Sequence, residues 1–130
     1  MKVGRVLLSR DDELHTRGYF ILARALREAG LEVVLGGVQT PRETARAALE
    51  EDVEVLGYRI MTGAPEILVP RLLESLRAEG RGELPVVIGG IVPPWQVPQL
   101  LSLGVKGVFV PGNSLQEIVR CFQQLCQVPK

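Results

Sequence analysis

Five short runs of apolar, largely β-branched residues alternate with five longer stretches whose apolar residues recur at helical spacing. This alternation confines the chain to parallel strands joined by helical crossovers. The pattern predicts strands over residues 3–8, 32–35, 54–60, 85–88 and 107–109, and helices over 16–29, 41–51, 65–79, 93–103 and 114–127. The boundaries agree with the periodicity. Thr40-Pro41-Arg42-Glu43 is a capping box with proline at the first helical position, and Ser114-Leu115-Gln116-Glu117 repeats the hydroxyl and carboxylate pairing. Gly30, Gly80 and Gly104 each stand between a helix and a strand, where a left-handed residue closes the last turn. Pro70 lies inside the third predicted helix, where it removes a backbone donor.

Strands this short and this apolar belong in a sheet covered on both faces, and right-handed crossovers give it the order 2-1-3-4-5. The predicted fold is therefore α/β and flavodoxin-like (Rossmann-like): a five-stranded, doubly wound parallel sheet with helices on both faces. The 130 residues form one domain, 1–130, large enough to bury roughly two thirds of its unfolded surface. Lysine and arginine together number 15, as do aspartate and glutamate, and they are interleaved, which argues against nucleic acid or anionic lipid as a partner. No apolar run reaches the roughly 18 residues of a membrane span, so the expected location is the cytoplasm. Cys121 and Cys126 fall on one predicted helix, about 7.5 Å apart in rise, and cannot bridge each other.

In sheets of this order ligands bind beyond the carboxyl ends of the strands, at the switch point between the first and third. The loop after the first strand holds the chain's one histidine, His15, among Arg10, Asp11, Asp12 and Glu13, and it is longer than a tight turn needs. A carboxylate bonded to one ring nitrogen fixes the tautomer and leaves the other nitrogen for a metal; Glu13 or Asp12 can serve. Across the same crevice lies Tyr58-Arg59-Ile60-Met61-Thr62-Gly63. Gly89-Gly90 ends the fourth strand and lets the backbone approach a ligand closely, while Phe109-Val110-Pro111-Gly112-Asn113 supplies an apolar wall and a turn. Trp95, after two prolines at the crevice rim, reads as a helix-packing residue in preference to a docking contact.

The loop Glu13-Leu14-His15-Thr16-Arg17-Gly18 resembles the D-x-H-x-x-G element of cobalamin-binding domains. Residues 13–30, 39–51, 57–64, 86–93 and 109–113 together extend the resemblance, over almost the whole chain, to the cobalamin-binding domain or small subunit of methylmalonyl-CoA mutase-type isomerases. That resemblance implies a corrinoid held with its dimethylbenzimidazole tail displaced from cobalt. His15 is then the lower axial ligand, Glu13 takes the place of the orienting aspartate, Gly18 matches the loop glycine, and Gly89 and Gly90 match the glycine pair beside the tail. It further implies adenosylcobalamin as cofactor, a separate mutase subunit supplying the acyl-CoA site, and a site completed by Leu14, Thr16, Arg17, Met61, Gly63, Phe109, Pro111, Gly112 and Asn113. A homo-oligomer is compatible with it.

Two departures stand out. Glutamate replaces aspartate at position 13, and Arg59 occupies the place where the family carries a serine bordering the tail. A guanidinium there either crowds the tail tunnel, rebuilds it around the tail phosphate, or pairs with Asp11 or Asp12 across the crevice. The alternative function is accordingly a regulatory or binding module of the same fold that has lost or changed its ligand. A phosphoacceptor receiver domain needs an aspartate after the third strand and a lysine after the fifth, where this chain has Arg59 and Val110. The first loop has no serine-, threonine- and glycine-rich run to cradle phosphate, and Gly36-Gly37 is too short for a dinucleotide fingerprint.

Overall fold

The computed structural model describes residues 4–126; the first residue predicted for strand one, Val3, and the last predicted for helix five, Gln127, lie outside the described residues. Five strands form one parallel sheet: β1 (Arg5–Arg10), β2 (Glu32–Val38), β3 (Val55–Ile60), β4 (Val86–Gly90) and β5 (Gly107–Phe109). Their order is β2-β1-β3-β4-β5, with every neighbouring pair parallel, as the crossover rules require. The helices are α1 (Arg17–Glu28), α2 (Pro41–Glu50), α3 (Pro65–Ala78), α4 (Val97–Ser102) and α5 (Leu115–Cys126). A 3₁₀ turn, Pro94–Gln96, precedes α4 where a longer helix was expected; Pro93, Pro94 and Pro98 withhold the donors that an unbroken helix needs.

Alternation along each strand divides the core in two. Leu7, Leu56, Tyr58, Ile60, Val86 and Ile88 pack against Ala45 and Ala48 of α2, Val69, Leu72 and Leu76 of α3, and Leu100 of α4. The opposite face sets Val6, Leu8, Val55 and Val87 against Tyr19, Ala23 and Leu26 of α1 and Phe122 and Cys126 of α5. Both faces are thus covered, which is why the strands carry few outward-facing polar residues.

The cap chemistry is present as read. Thr40 Oγ1 accepts the Glu43 N–H at 3.2 Å and the Glu43 carboxylate accepts the Thr40 N–H at 2.9 Å; Ser114 and Glu117 make the same exchange at 3.1 and 3.3 Å. α3 runs through Pro70 unbroken, its register held by Val69, Leu72 and Leu76 in the core. Cys121 and Cys126 are both free, and burial pushes the Cys126 thiol up to about 11.

Candidate functional site

On the face covered by α1 and α5, strand register sets residues side by side in two rows. One row reads Leu8, Gly57, Val87 and Gly107; the row nearer the carboxyl edge reads Arg10, Arg59, Gly89 and Phe109. Glycine at 57 lets Leu8 and Phe122 close over the strand, while glycine at 89 leaves the sheet bare between Arg59 and Phe109. Beneath the helices this opens a cavity of about 360 Å³, walled by residues that include Leu22, Val87, Phe109, Ile118 and Phe122. A side chain at 57 would strike Leu8 and Phe122 within 3 Å, whereas one at 89 would meet only the Phe109 carbonyl at 3.8 Å and project into the space.

His15 stands at the rim of this edge with its side chain 52 % exposed. Its Nδ1 is hydrogen-bonded to Asp12 Oδ2 at 2.5 Å, so Nε2 is the nitrogen left to a ligand. Asp12, not Glu13, is therefore the orienting carboxylate: Glu13 lies exposed on the loop, and three residues of separation, not two, bring carboxylate and ring together here. The bond from His15 holds the Asp12 carboxyl below its ordinary 3.8, against the opposing push of burial. The stabilisation it gives is present above that value and is lost as pH falls through the lowered one.

The neighbouring carboxylate does different work. Asp11 accepts the backbone N–H groups of Met61, Thr62 and Gly63 at 2.7, 3.1 and 2.6 Å, tying the β3–α3 loop to the end of β1. Arg10 donates to the Asp12 carbonyl at 2.8 Å, and its guanidinium lies 4.9 Å from the centre of the Tyr19 ring.

Arg59 is half-buried and donates to the His15 carbonyl at 2.6 Å. Among the described residues no carboxylate lies within ion-pairing distance of it, which corrects the expected pairing with Asp11 or Asp12: Asp11 is turned to the β3–α3 loop and Asp12 to His15. Burial pulls the guanidinium below its usual range, with Arg10 adding to the effect and Asp12 and Asp11 opposing it.

Of the other expected site residues, Gly18, Met61, Gly89, Gly90, Phe109, Pro111 and Asn113 line the cavity with Arg59. Leu14, 84 % exposed, and Arg17 stand outside it, and Thr16 is the α1 N-cap without a side-chain bond. Gly63 faces away: it serves the Asp11 loop and a separate depression beside Thr40. Gly112 takes φ 106° in the turn after β5 and supports the neighbouring wall residues. Trp95 is 66 % exposed, so it is not the helix-packing residue expected. The cavity residues Leu8, Gly57, Val87 and Phe122 escape sequence reading; the available signal is the spacing of two that sets Gly57 and Arg59 on one face.

Among the described residues no group of three or more His, Cys, Asp or Glu is placed to hold a bare metal ion. The arrangement offers one imidazole nitrogen and, at the same edge, an apolar cavity.

Comparison with known proteins points the same way. The model of the B12 binding domain matches residues 5–120. The chain is 42 % identical to the pivalyl-CoA mutase small subunit of Xanthobacter autotrophicus over 87 % of its own length and 76 % of that protein. It is 35 % identical to the 2-hydroxyisobutanoyl-CoA mutase small subunit of Aquincola tertiaricarbonis, covering 93 % of this chain and 90 % of that one. A methylmalonyl-CoA mutase large subunit from Streptomyces virginiae is 37 % identical, with this chain spanning 16 % of its length. Among solved structures, a cobalamin-binding protein from Desulfitobacterium hafniense superposes with TM-score 0.77 at 21 % identity, covering 97 % of this chain and 60 % of that one. A receiver domain of the response regulator NarL from Mycobacterium tuberculosis reaches 0.75 at 17 %, covering 97 % and 98 %. At those identities the two structures speak for the fold alone.

Proposed function

Because this chain belongs to the B12-binding domain family, we propose that it is the cobalamin-carrying small subunit of an acyl-CoA mutase, acting with a separate catalytic subunit. The observation that carries this reading is the rim histidine with Nδ1 held by a buried carboxylate and Nε2 directed to no protein partner among the described residues. His15 Nε2 would hold the cobalt, and the cavity between β3, β4, α1 and α5 would take the displaced base of the tail. When bound, adenosylcobalamin supplies a homolysable cobalt–carbon bond for a 1,2-rearrangement of an acyl-CoA.

The chain's own residues bind, brace and exclude. Asp12 keeps the His15 ring in one tautomer, Arg10 and Arg59 pin the loop backbone on either side of it, and Asp11 locks the facing loop. Phe109, Ile118 and Phe122 keep water from the inner wall. Among the described residues no helix is long and apolar enough to cross a membrane. No acyl-CoA site is assigned to these residues; that task falls to the partner.

The test is a titration of the purified chain with hydroxocobalamin and with adenosylcobalamin. A visible spectrum of the base-off, histidine-ligated type and colour that survives gel filtration are expected; an unchanged spectrum with both forms ends the reading. Asp12→Asn gives a graded result. The amide still fills the space but holds the imidazole less strongly, and cobalamin affinity is expected to fall by roughly ten- to hundredfold, the usual scale for an orienting partner. An affinity within about twofold of wild type, read from the same titration, counts against the Asp12 role.

A further inference from the structure

The cavity is apolar except for a few side chains, and nearly all of these are already engaged. Ser9 is hydrogen-bonded to Thr44 at 2.9 Å, Tyr19 donates to the Leu8 carbonyl at 2.7 Å, and Tyr58 donates to the Gln39 carbonyl at 2.8 Å. Asn113 turns its carbonyl oxygen to the Val110 N–H at 2.8 Å. Arg59 differs. A guanidinium has five N–H donors, and the one bond described for it takes a single nitrogen to the His15 carbonyl.

The space around it is also built for it. Gly18 of α1 lies against the guanidinium, since a Cβ at that position would sit 2.7 Å from Arg59 Nη2, and the register neighbour of Arg59 on β4 is the bare Gly89. The neighbouring cation is drawn aside, because Arg10 is turned onto the Tyr19 ring and the Asp12 carbonyl. A cation with donors to spare, held against Gly18 at the edge of an apolar slot that Gly89 leaves open, selects a flat partner that brings an acceptor atom.

Resting on the cobalamin reading above, we propose that Arg59 sets which corrinoid this chain accepts by donating to an acceptor on the base of the lower nucleotide tail. Displaced benzimidazole and purine bases each offer a ring nitrogen with a free lone pair. A phenol joined to its ribose through oxygen offers no such atom, so its ring would cover the half-buried guanidinium and leave its donors unmatched. The chain therefore takes up corrinoids with nitrogen-heterocyclic tails and discriminates against those with phenolic tails.

The experiment measures dissociation constants of the full chain for three probes: hydroxocobalamin, a cobamide with a p-cresol tail, and a cobinamide with no tail base. Wild type is expected to bind hydroxocobalamin about tenfold or more tighter than the cresol form, the scale of one charge-assisted hydrogen bond. Arg59→Ala should bring those two within about twofold and should weaken hydroxocobalamin clearly more than the cobinamide, whose own loss reads the separate bond of Arg59 to the His15 carbonyl. Arg59→Lys, which keeps the charge and loses the planar fork, should retain only part of the discrimination. A wild type that binds both tailed corrinoids equally overturns the proposal while leaving the cobalamin reading intact. So does an Arg59→Ala variant weakened equally toward all three, which reduces Arg59 to a brace for the His15 loop. Failure of all three probes to bind wild type removes the cobalamin reading itself and the tail proposal with it. If Arg59→Ala does not fold, the wild-type ratio and the lysine variant still decide.

Discussion

His15→Ala is expected to abolish the histidine-ligated spectrum of the cobalamin complex and to weaken binding by about a hundredfold or more, beyond what loss of an orienting partner alone costs. The size of the effect follows from the lack of a substitute. The chain has one histidine, and the free thiols lie on α5, packed against the sheet near the opposite end of its strands, with Cys126 protonated by burial at neutral pH. Met61 lines the cavity but stands on the β3 side, across from the imidazole. The substitution also has a structural cost that must be separated from the loss of ligation. Asp12 keeps its side chain 8 % exposed, and its Oδ1 is buried with no partner among the described residues, so removing the ring leaves the carboxylate without its main hydrogen bond. That costs about 1–3 kcal/mol of stability. His15→Ala combined with Asp12→Asn removes the stranded charge; stability should then recover toward wild type while cobalamin binding stays lost. Recovery of the histidine-type spectrum in either variant would show that another group holds the metal.

The sheet order was legible because it rests on patterns a sequence carries openly, alternation of periods and capping residues, and the charged loop after the first strand marked the crevice proposed as the site. Register was not legible, and register makes the cavity. That Arg59 lies beside Gly89, and Gly57 beside Val87, depends on hydrogen bonding between strands distant in sequence. β4 also runs on through Gly89 and Gly90, two residues past the expected end, because its neighbour β3 offers partners as far as Ile60. The choice between Asp12 and Glu13, left open by the residues and given to Glu13 only by the resemblance, escaped the sequence for a similar reason. Glu13 holds the motif position, but the loop turns so that Asp12 points inward and Glu13 outward, a choice set by the Arg10 and Arg59 bonds to the loop carbonyls and invisible to spacing. Asp11, read with the others as charge near a ligand, is a loop tie.

The paired glycines at the end of β4 separate folding from binding, and substituting each should give opposite results. Gly90 takes φ 111°, and a Cβ on it would stand 2.1 Å from the Ile60 carbonyl oxygen and 2.8 Å from its carbon, both backbone atoms that side-chain rotation cannot move. That same carbonyl accepts the Ile91 N–H at 2.9 Å, so it cannot retreat without losing a bond. Strain and overpacking together put the cost of Gly90→Ala at about 2–6 kcal/mol. Much of the stability of a domain this size would be gone, visible as a large fall in denaturation midpoint or as insoluble protein. Gly89 has no such constraint: a Cβ there meets one atom at ordinary contact distance, and β-branched residues suit a strand. Gly89→Val should therefore unfold within about 1 kcal/mol of wild type. Its two methyl groups, however, project into the space assigned to the tail base, and the variant should fail to retain cobalamin through gel filtration. A stable Gly89→Val protein that still holds cobalamin at wild-type affinity would place the tail elsewhere and leave the cavity without its assigned occupant.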